Sequence, residues 1–215
     1  MDARLVCGKS AATLLDVVLY VLFALFGFVC GSIPFGLLVA RVRGVDVRRV
    51  GSGNIGAANV ARSVGKPLGA LVLFCDSAKG ALPVLLARSA AGPGVPGQVA
   101  LGLLGVAAAA IVGHAFTPWL RFRGGKAVAT SLGVYLVIDP AAVGASLLIF
   151  VVVFAKTRMV SFGSLAAAAG LPIAVAALGR GRNDVVFAVL VAALVFALHR
   201  RNLARMRSGL ESRFE

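Results

Sequence analysis

The chain is poor in acidic, histidine and aromatic side chains. Of its 215 residues, 8 are Asp or Glu and 2 are His, and aromatic residues account for 7%. Metal centres and Ser-His-Asp sites draw on the scarce residue types, and the sequence contains no metal-ligand cluster, no Ser-His-Asp order and no H-x4-D motif. Its 3 cysteines are widely spaced, which argues against a disulfide framework. We therefore expect no metal, no cofactor and no covalent intermediate.

Apolar side chains are as abundant as charged ones are rare. Hydrophobic residues make up 60% of the chain and charged residues 14%, whereas a soluble domain is roughly half apolar and about a quarter charged. Ala, Val, Leu and Gly supply most of the apolar content, and such small residues allow transmembrane helices to pack closely. The composition predicts an all-α, polytopic transmembrane helical bundle that forms one domain over residues 1–215.

The apolar runs predict seven membrane spans. A span needs about 20 apolar residues. The first run is too long for the core of a signal peptide, so we expect it to be retained. Asp139-Pro140 interrupts the fourth region, so 127–155 forms either two short, tilted spans or one re-entrant hairpin. The predicted long spans are 14–40, 67–91, 98–118, 160–179 and 185–198, and the short runs are 127–138 and 141–155.

Positive charge is distributed unequally between the two sides that these spans define. One side receives residues 41–66, 119–126, 156–159 and the tail from 199, which hold 16 of the 22 Lys and Arg residues. By the positive-inside rule this side is cytoplasmic, with the N-terminus outside and the C-terminus inside. Because the charges lie between apolar runs, nucleic acid is disfavoured and anionic lipid or an anionic substrate is favoured. Arg4, Lys9, Arg88, Arg180 and Arg182 lie on the other side, and Lys79 lies within a span.

A glycine-rich segment over residues 51–59, Gly-Ser-Gly-Asn-Ile-Gly-Ala-Ala-Asn, is the strongest local motif. Closely spaced glycines allow consecutive backbone N–H groups to converge on an oxyanion. The G-K-[ST] ending of a Walker A loop is missing, so nucleotide hydrolysis is not indicated. The segment predicts a phosphate site, and its alternative is a flexible polar connection between spans. The candidate residues are Gly51, Ser52, Gly53, Asn54, Gly56, Asn59 and, just after the motif, Arg62.

A second basic motif precedes the run at 127–138. Gly124, Gly125 and Lys126 would combine free N–H groups, the positive end of a helix dipole and an ammonium group. This pattern predicts a second anion site. A charged anchor at the membrane interface is the alternative.

Four further polar features stand out. Asp76 and Lys79 are three residues apart in a span, which predicts a mutual ion pair that braces the bundle, with orientation of the glycine-rich segment as the alternative. For His114 we expect packing or a backbone hydrogen bond, and for Pro34 a kink in the first span. The remaining candidates are His199 and Asn202, for which a lipid anchor is the alternative, and Ser161 and Ser164, which would cap a helix or contact phosphate.

With these motifs in order, the chain resembles the bacterial acyl-phosphate:glycerol-3-phosphate acyltransferases from about Gly31 to Phe214. The resemblance is carried by Gly31 to Gly36, Gly51 to Gly56, Asn59 with Arg62, Asp76 with Lys79-Gly80, Gly113-His114, Gly124 to Lys126 with Ala129-Thr130, Ser161 to Ser164, and His199 with Asn202 and Glu211.

This resemblance implies a seven-helix membrane enzyme with an external N-terminus. It implies transfer of a fatty acyl group from acyl-phosphate to the 1-hydroxyl of sn-glycerol 3-phosphate, which yields lysophosphatidic acid for phospholipid synthesis. By similarity, Ser52, Asn54 and Arg62 belong to a phosphate loop and Lys126 to a second phosphate contact. His199 and Asn202 belong to the catalytic region, and Glu211 is expected to be structural.

Two positions depart from the family pattern, and one other function class stays open. Ala58 stands where the family usually has Thr, and Ala127 where it usually has Gly. The first departure removes one hydroxyl group from the loop. The second restricts the backbone conformations available just after Lys126. Basic motifs between helices would also suit a transporter of a phosphorylated metabolite. Transport requires groups on both faces, whereas the motifs here are predicted on one face.

Overall fold

The chain folds into helices joined by short loops, as the apolar runs predict. The structure is a computed structural model that describes residues 3–90 and 101–214, with side chains from residue 16 onward. Besides a short 3₁₀ turn at Pro118–Leu120, the helices are α1 Ala3–Ser32, α2 Phe35–Arg41, α3 Ala57–Ser63, α4 Lys66–Ala90, α5 Leu101–Ala115, α6 Val128–Ile138, α7 Pro140–Thr157, α8 Val160–Ala177, α9 Arg182–Leu198 and α10 Arg200–Arg207.

The long apolar helices make the chain a multi-pass integral membrane protein. Five stretches are long and apolar enough to cross a bilayer, and α9 with α10, bent by 59°, would add a sixth. The 127–155 region forms two helices that part at Asp139, with α7 of spanning length and α6 only 11 residues long. Seven segments therefore result only if α6 counts as a thin span. The predicted runs at 67–91 and 98–118 extend into residues 91–100, and the side chains of Arg4 and Lys9 also lie outside the described part of the chain.

The first span is interrupted near its basic end. Proline lacks a backbone N–H, so Pro34 separates α1 from α2 instead of only kinking one helix. At the break the Ile33 carbonyl accepts from the Phe35 N–H at 3.0 Å and from the Lys79 ammonium of α4 at 2.7 Å. A side chain from the neighbouring span therefore stabilises the broken turn.

Glycines set the closest helix contacts, as the small-residue composition indicates. A Cβ added to Gly31 of α1 would overlap the Ala110 backbone of α5, and one added to Gly133 of α6 would overlap the Ser77 backbone of α4. On α8, a Cβ at Gly170 would overlap the Ile149 side chain of α7. The first two helix pairs therefore approach at distances that larger residues would prevent, whereas at Gly170 the Ile149 side chain would have to move.

The predicted basic segments meet at one end of the bundle, here called the basic end. Lys126 donates to Asn202, and the Phe214 N–H donates to the Arg158 carbonyl, so loops far apart in sequence share this end. At the opposite end, Arg180 donates to both carboxylate oxygens of Asp139, at 2.7 and 3.0 Å. The division of positive charge in the sequence thus matches the two ends of the structure.

Candidate active site

The glycine-rich segment is an ordered loop that one buried side chain holds in place. Gly51 and Gly53 have φ values of 57° and 69°, which favour glycine. The Asn59 amide is 2% exposed, accepts from the Ser52 N–H at 2.9 Å, and donates to the carbonyls of Val47, Val50 and Asn54. Because its hydrogen-bonding atoms are occupied by backbone, Asn59 shapes the loop. The N–H groups of Ser52, Gly53 and Gly56 also donate within the loop, so the expectation that they converge on an oxyanion is wrong.

Asn54 lies just before α3, and Arg62 lies near the end of that helix. Asn54 Oδ1 accepts from the Gly56 N–H at 2.8 Å, which fixes the entry into α3. Arg62 lies in the last turn of α3 and forms no hydrogen bond or ion pair with any described residue. A guanidinium group without a partner beside the loop is suited to bind an anion.

The second glycine motif is built differently from the sequence-based expectation. The N–H groups of Gly124 and Gly125 donate to the Ala115 and His114 carbonyls, each at 3.0 Å. The expectation that these two groups are free for an anion is therefore wrong. A Cβ at Gly125 would overlap the His114 ring, so the glycines allow the loop to lie against α5. Lys126 is the group of this motif that remains available.

A chain of hydrogen bonds connects Lys126 to the C-terminal tail. We call Lys126, Asn202, Glu211, Ser161 and Arg205 the junction network. Lys126 Nζ donates to Asn202 Oδ1 at 2.6 Å, and Asn202 Nδ2 donates to Glu211 Oε1 at 2.6 Å. Ser161 donates to the same Glu211 oxygen at 2.6 Å, and Arg205 donates to the other at 2.7 Å. Glu211 therefore orients groups from three segments of the chain.

The junction network changes the proton affinity of its members. Burial alone would raise the pKa of Glu211, but hydrogen bonds from Ser161, Arg205 and Asn202 outweigh burial and hold the pKa below its usual value. Burial lowers the pKa of Lys126 to about 8, and the Glu211 charge opposes that shift only partly. Lys126 is therefore a poorly solvated ammonium group that loses its proton more readily than an exposed lysine does.

His199 lies where α9 ends, next to the junction network. Its side chain is 2% exposed, and Nδ1 lies 2.8 Å from the Val195 carbonyl. A carbonyl can only accept, so Nδ1 carries the proton of the neutral ring and Nε2 carries the lone pair. The imidazole is thus held in the tautomer in which Nε2 can accept a proton.

The two serines have different surroundings. Met159, not Ser161, is the N-cap of α8, so the expectation that Ser161 caps this helix is wrong. Ser161 belongs to the junction network instead. Ser164 lies one turn further along α8, is 5% exposed and lines the cavity described next.

Two cavities meet at the junction network. The first, here called the apolar cavity, has a volume of about 510 Å³ and extends between α4, α6, α7, α8 and α9. The second, here called the basic vestibule, has a volume of about 930 Å³ and opens at the basic end. Its arginines are Arg48, Arg49, Arg121, Arg123, Arg200, Arg201 and Arg205. The residues that line both cavities are Ser52, Asn54, Lys126 and Asn202.

Beneath the second motif lies a polar cluster of Asp76, Lys79 and His114, here called the buried brace, and Asp76 and His114 also line the apolar cavity. The Asp76 and Lys79 side chains are 2% and 3% exposed, and their charged atoms lie 2.7 Å apart. This pair confirms the ion pair predicted from their spacing. His114 Nδ1 lies 3.7 Å from the same carboxylate. The buried brace supports both the broken first span and the loop that carries Lys126.

Sequence reasoning undervalued the end of the chain. Glu211, which we expect to be structural, orients its neighbours in the junction network, and Arg205, which no sequence motif singles out, also belongs to that network. The available signal is the position of Glu211 between the arginines of a strongly basic tail. The two departures, Ala58 and Ala127, both lie near the site. Ala58 lines the apolar cavity, and Ala127 directly follows Lys126 and has a φ of 65°.

Comparisons with known proteins agree on one family. The profile of the glycerol-3-phosphate acyltransferase family matches residues 20–209. Proteins of that description from Geobacter sulfurreducens and Myxococcus xanthus are 46% and 48% identical to the chain, covering 87% and 88% of it and 94% and 97% of their own lengths. The crystal structure of PlsY, an integral membrane glycerol 3-phosphate acyltransferase in its glycerol 3-phosphate form, superposes with a TM-score of 0.85 at 35% identity, over 91% of this chain and 96% of that one. Its lysophosphatidic acid form gives 0.83 at 34% identity, over 91% and 95%.

Proposed function

The chain belongs to the glycerol-3-phosphate acyltransferase family, and we propose that it transfers a fatty acyl group from acyl-phosphate to the 1-hydroxyl of sn-glycerol 3-phosphate. The products are lysophosphatidic acid and inorganic phosphate. Membership in an enzyme family decides against the transporter hypothesis. The observation that carries the proposed reaction is the meeting of an apolar and a basic cavity at Lys126 and Asn202.

The two cavities match the two substrates in chemistry. An acyl chain loses contact with water when it enters the apolar cavity, which is favourable by about 25 cal/mol per Å². Glycerol 3-phosphate is a small anion, and the arginines of the basic vestibule raise its local concentration. The acyl carbonyl and the glycerol hydroxyl therefore meet at the junction, where the residues that line both cavities lie.

Positively charged side chains and hydroxyl groups hold the phosphates. Arg62 forms no hydrogen bond or ion pair with the side chains that the structure describes, and Lys126 is poorly solvated, so each gains from contact with a phosphate oxygen. Ser52 and Asn54 lie at the junction, where the Ser52 hydroxyl can donate to the charge that develops on the carbonyl oxygen, and Gly51, Gly53 and Gly56 set the course of the loop. Ser161 and Ser164 supply hydroxyl groups on the opposite wall, while Asn59, Gly124 and Gly125 shape the two loops.

His199 is proposed as the proton acceptor. The glycerol hydroxyl attacks the acyl carbon, its proton passes to His199 Nε2, and the bond between that carbon and the phosphate oxygen breaks. Phosphate is already a good leaving group, so no covalent enzyme intermediate is required. Asn202 holds Lys126 beside the reacting groups. If His199→Gln, in folded protein, retained near-normal turnover, the base would have to be a substrate phosphate oxygen.

The reaction is tested with protein purified in detergent. Palmitoyl-phosphate and glycerol 3-phosphate should yield lysophosphatidic acid, whereas palmitoyl-CoA should not replace the donor. Product formed only from the CoA ester would reject acyl-phosphate as donor. Absence of product with either donor would reject the proposed activity.

We also propose that the basic end faces the cytoplasm of a bacterial inner membrane. The support is the excess of Lys and Arg at that end. A fluorescent protein fused to the C-terminus should fluoresce, and alkaline phosphatase fused there should be inactive. The reverse result would place the basic end outside.

A further inference from the structure

The apolar cavity has a closed inner end. From the junction it extends along α8 from Ser161 to Leu171, a distance of about 15 Å at the rise of an α-helix. One residue from each of four helices lines it furthest from the basic end, and we call these four residues the cavity floor. They are Tyr135 of α6, Val143 of α7, Leu171 of α8 and Val191 of α9, with exposures of 2%, 7%, 6% and 5%.

Packed side chains lie behind the cavity floor. The Phe187 ring stacks on the Tyr135 ring with 6.0 Å between centroids. Val175 and Ala188 are 1% and 0% exposed and belong to the same apolar cluster. Well-packed interiors hold few voids larger than a water molecule. A chain that reaches the cavity floor therefore has no further space in that direction.

We infer that the cavity floor sets the longest acyl chain that the protein uses efficiently, with the Tyr135 ring and Val191 as specificity-determining groups. This inference rests on the proposed acyl transfer. A methylene group that fits or fails to fit an apolar pocket changes kcat/KM by roughly 10-fold to 200-fold. The length of the acyl chain is therefore limited at the cavity floor, which lies away from the charged groups at the junction.

The test compares donors of different length within each variant. Acyl-phosphates of 8 to 20 carbons in mixed micelles are assayed for kcat/KM, and the readout is the ratio between long and short donors. Val191→Phe fills the end of the cavity, so the ratio of 16-carbon to 10-carbon donors should fall at least about tenfold. Leu190→Phe is the matched control, because Leu190 is 61% exposed on the outer face of the same helix and does not line the cavity.

The reciprocal variant enlarges the cavity. Tyr135→Ala should raise the ratio of 20-carbon to 16-carbon donors about tenfold or more, whereas Tyr135→Phe, which keeps the ring, should leave that ratio unchanged. Ratios measured within one variant are insensitive to the fraction of folded protein.

The outcomes separate the inference from the proposed function. If wild-type protein forms no lysophosphatidic acid from any acyl-phosphate, the proposed function fails. If the wild-type protein is active but Val191→Phe and Leu190→Phe give the same ratios, the chain leaves the cavity sideways into lipid and the inference is overturned. An unchanged ratio in Tyr135→Ala would overturn the role of the ring.

Discussion

The junction network and the buried brace are both charged clusters, yet they are built on opposite principles. In the buried brace, Asp76 and Lys79 neutralise each other on a single helix and are almost inaccessible. In the junction network, Glu211 is the one carboxylate, and it orients Arg205 directly and Lys126 through Asn202, beside a vestibule lined by further arginines. Charge that supports the fold is paired internally, whereas charge that binds substrate is left in excess.

Removal of the carboxylate from the buried brace should destabilise the fold. Asp76→Asn leaves the Lys79 ammonium buried without its counter-charge, and breaking such a pair costs about 3–5 kcal/mol. We expect a fall of about 10 °C in the midpoint of thermal unfolding in detergent.

A double variant is the control for the Asp76 prediction. Asp76→Leu combined with Lys79→Met removes both charges, so it should lose less stability than Asp76→Asn alone. A midpoint for Asp76→Asn equal to that of the wild type would contradict the structural role given to the pair.

Removal of a charge from the junction network should affect catalysis instead of stability. Lys126→Ala is expected to lower kcat/KM by about 10²–10³-fold, the usual effect of losing one group that stabilises transition-state charge. Its thermal midpoint should fall much less than that of Asp76→Asn. Lys156→Ala is the matched control, because Lys156 is exposed in the last turn of α7 and lines neither cavity. Equal activity in the two lysine variants would exclude Lys126 from the site.

The proton affinity of Lys126 predicts how activity depends on pH. Its pKa of about 8 means that the free protein loses this positive charge as the pH rises through 8. We expect kcat/KM for glycerol 3-phosphate to be highest below that pH and to fall about tenfold per pH unit above it. The second ionisation of a phosphate monoester lies near pH 6, so ionisation of glycerol 3-phosphate changes kcat/KM only on the acidic side of the profile and does not cause the fall above pH 8.

Lys126→Arg distinguishes this titration from others. Arginine stays protonated throughout the range, so the alkaline fall should disappear even if the absolute rate is lower. Persistence of the fall in that variant would assign it to another group.

The same two clusters show what sequence reasoning can reach. Asp76 and Lys79 are three residues apart on one helix, and helical geometry alone brings such residues together. Lys126, Ser161 and Glu211 lie on a loop, a helix start and a tail, so their contacts depend on how the helices pack. The helices could likewise be predicted, because an apolar run is a local feature of the sequence. The shared basic end followed from the order of these runs and of the basic segments between them.

Backbone hydrogen bonds explain the remaining differences. The motif predicted donors at Gly124 and Gly125, but a sequence pattern does not show which carbonyl an N–H group meets once the loop lies on α5. Asn59 was likewise expected to contact phosphate, and the structure instead gives its side chain four backbone partners.

The smallest effect is expected at Ala127, beside the junction network. Its φ of 65° is unfavourable for a residue with a Cβ by about 1–2 kcal/mol, so Ala127→Gly relieves strain. The methyl group is 0% exposed, and its loss removes about 0.8 kcal/mol of burial, while glycine adds a cost of about 0.5–1 kcal/mol in chain entropy.

These contributions nearly cancel, so Ala127→Gly should change stability by less than about 1 kcal/mol. Gly125→Ala, whose Cβ would overlap buried His114, should instead cost about 1–3 kcal/mol. Thermal unfolding and kcat/KM measured on both variants check this contrast. A gain of tenfold or more in kcat/KM for Ala127→Gly would mean that alanine holds Lys126 away from its best position.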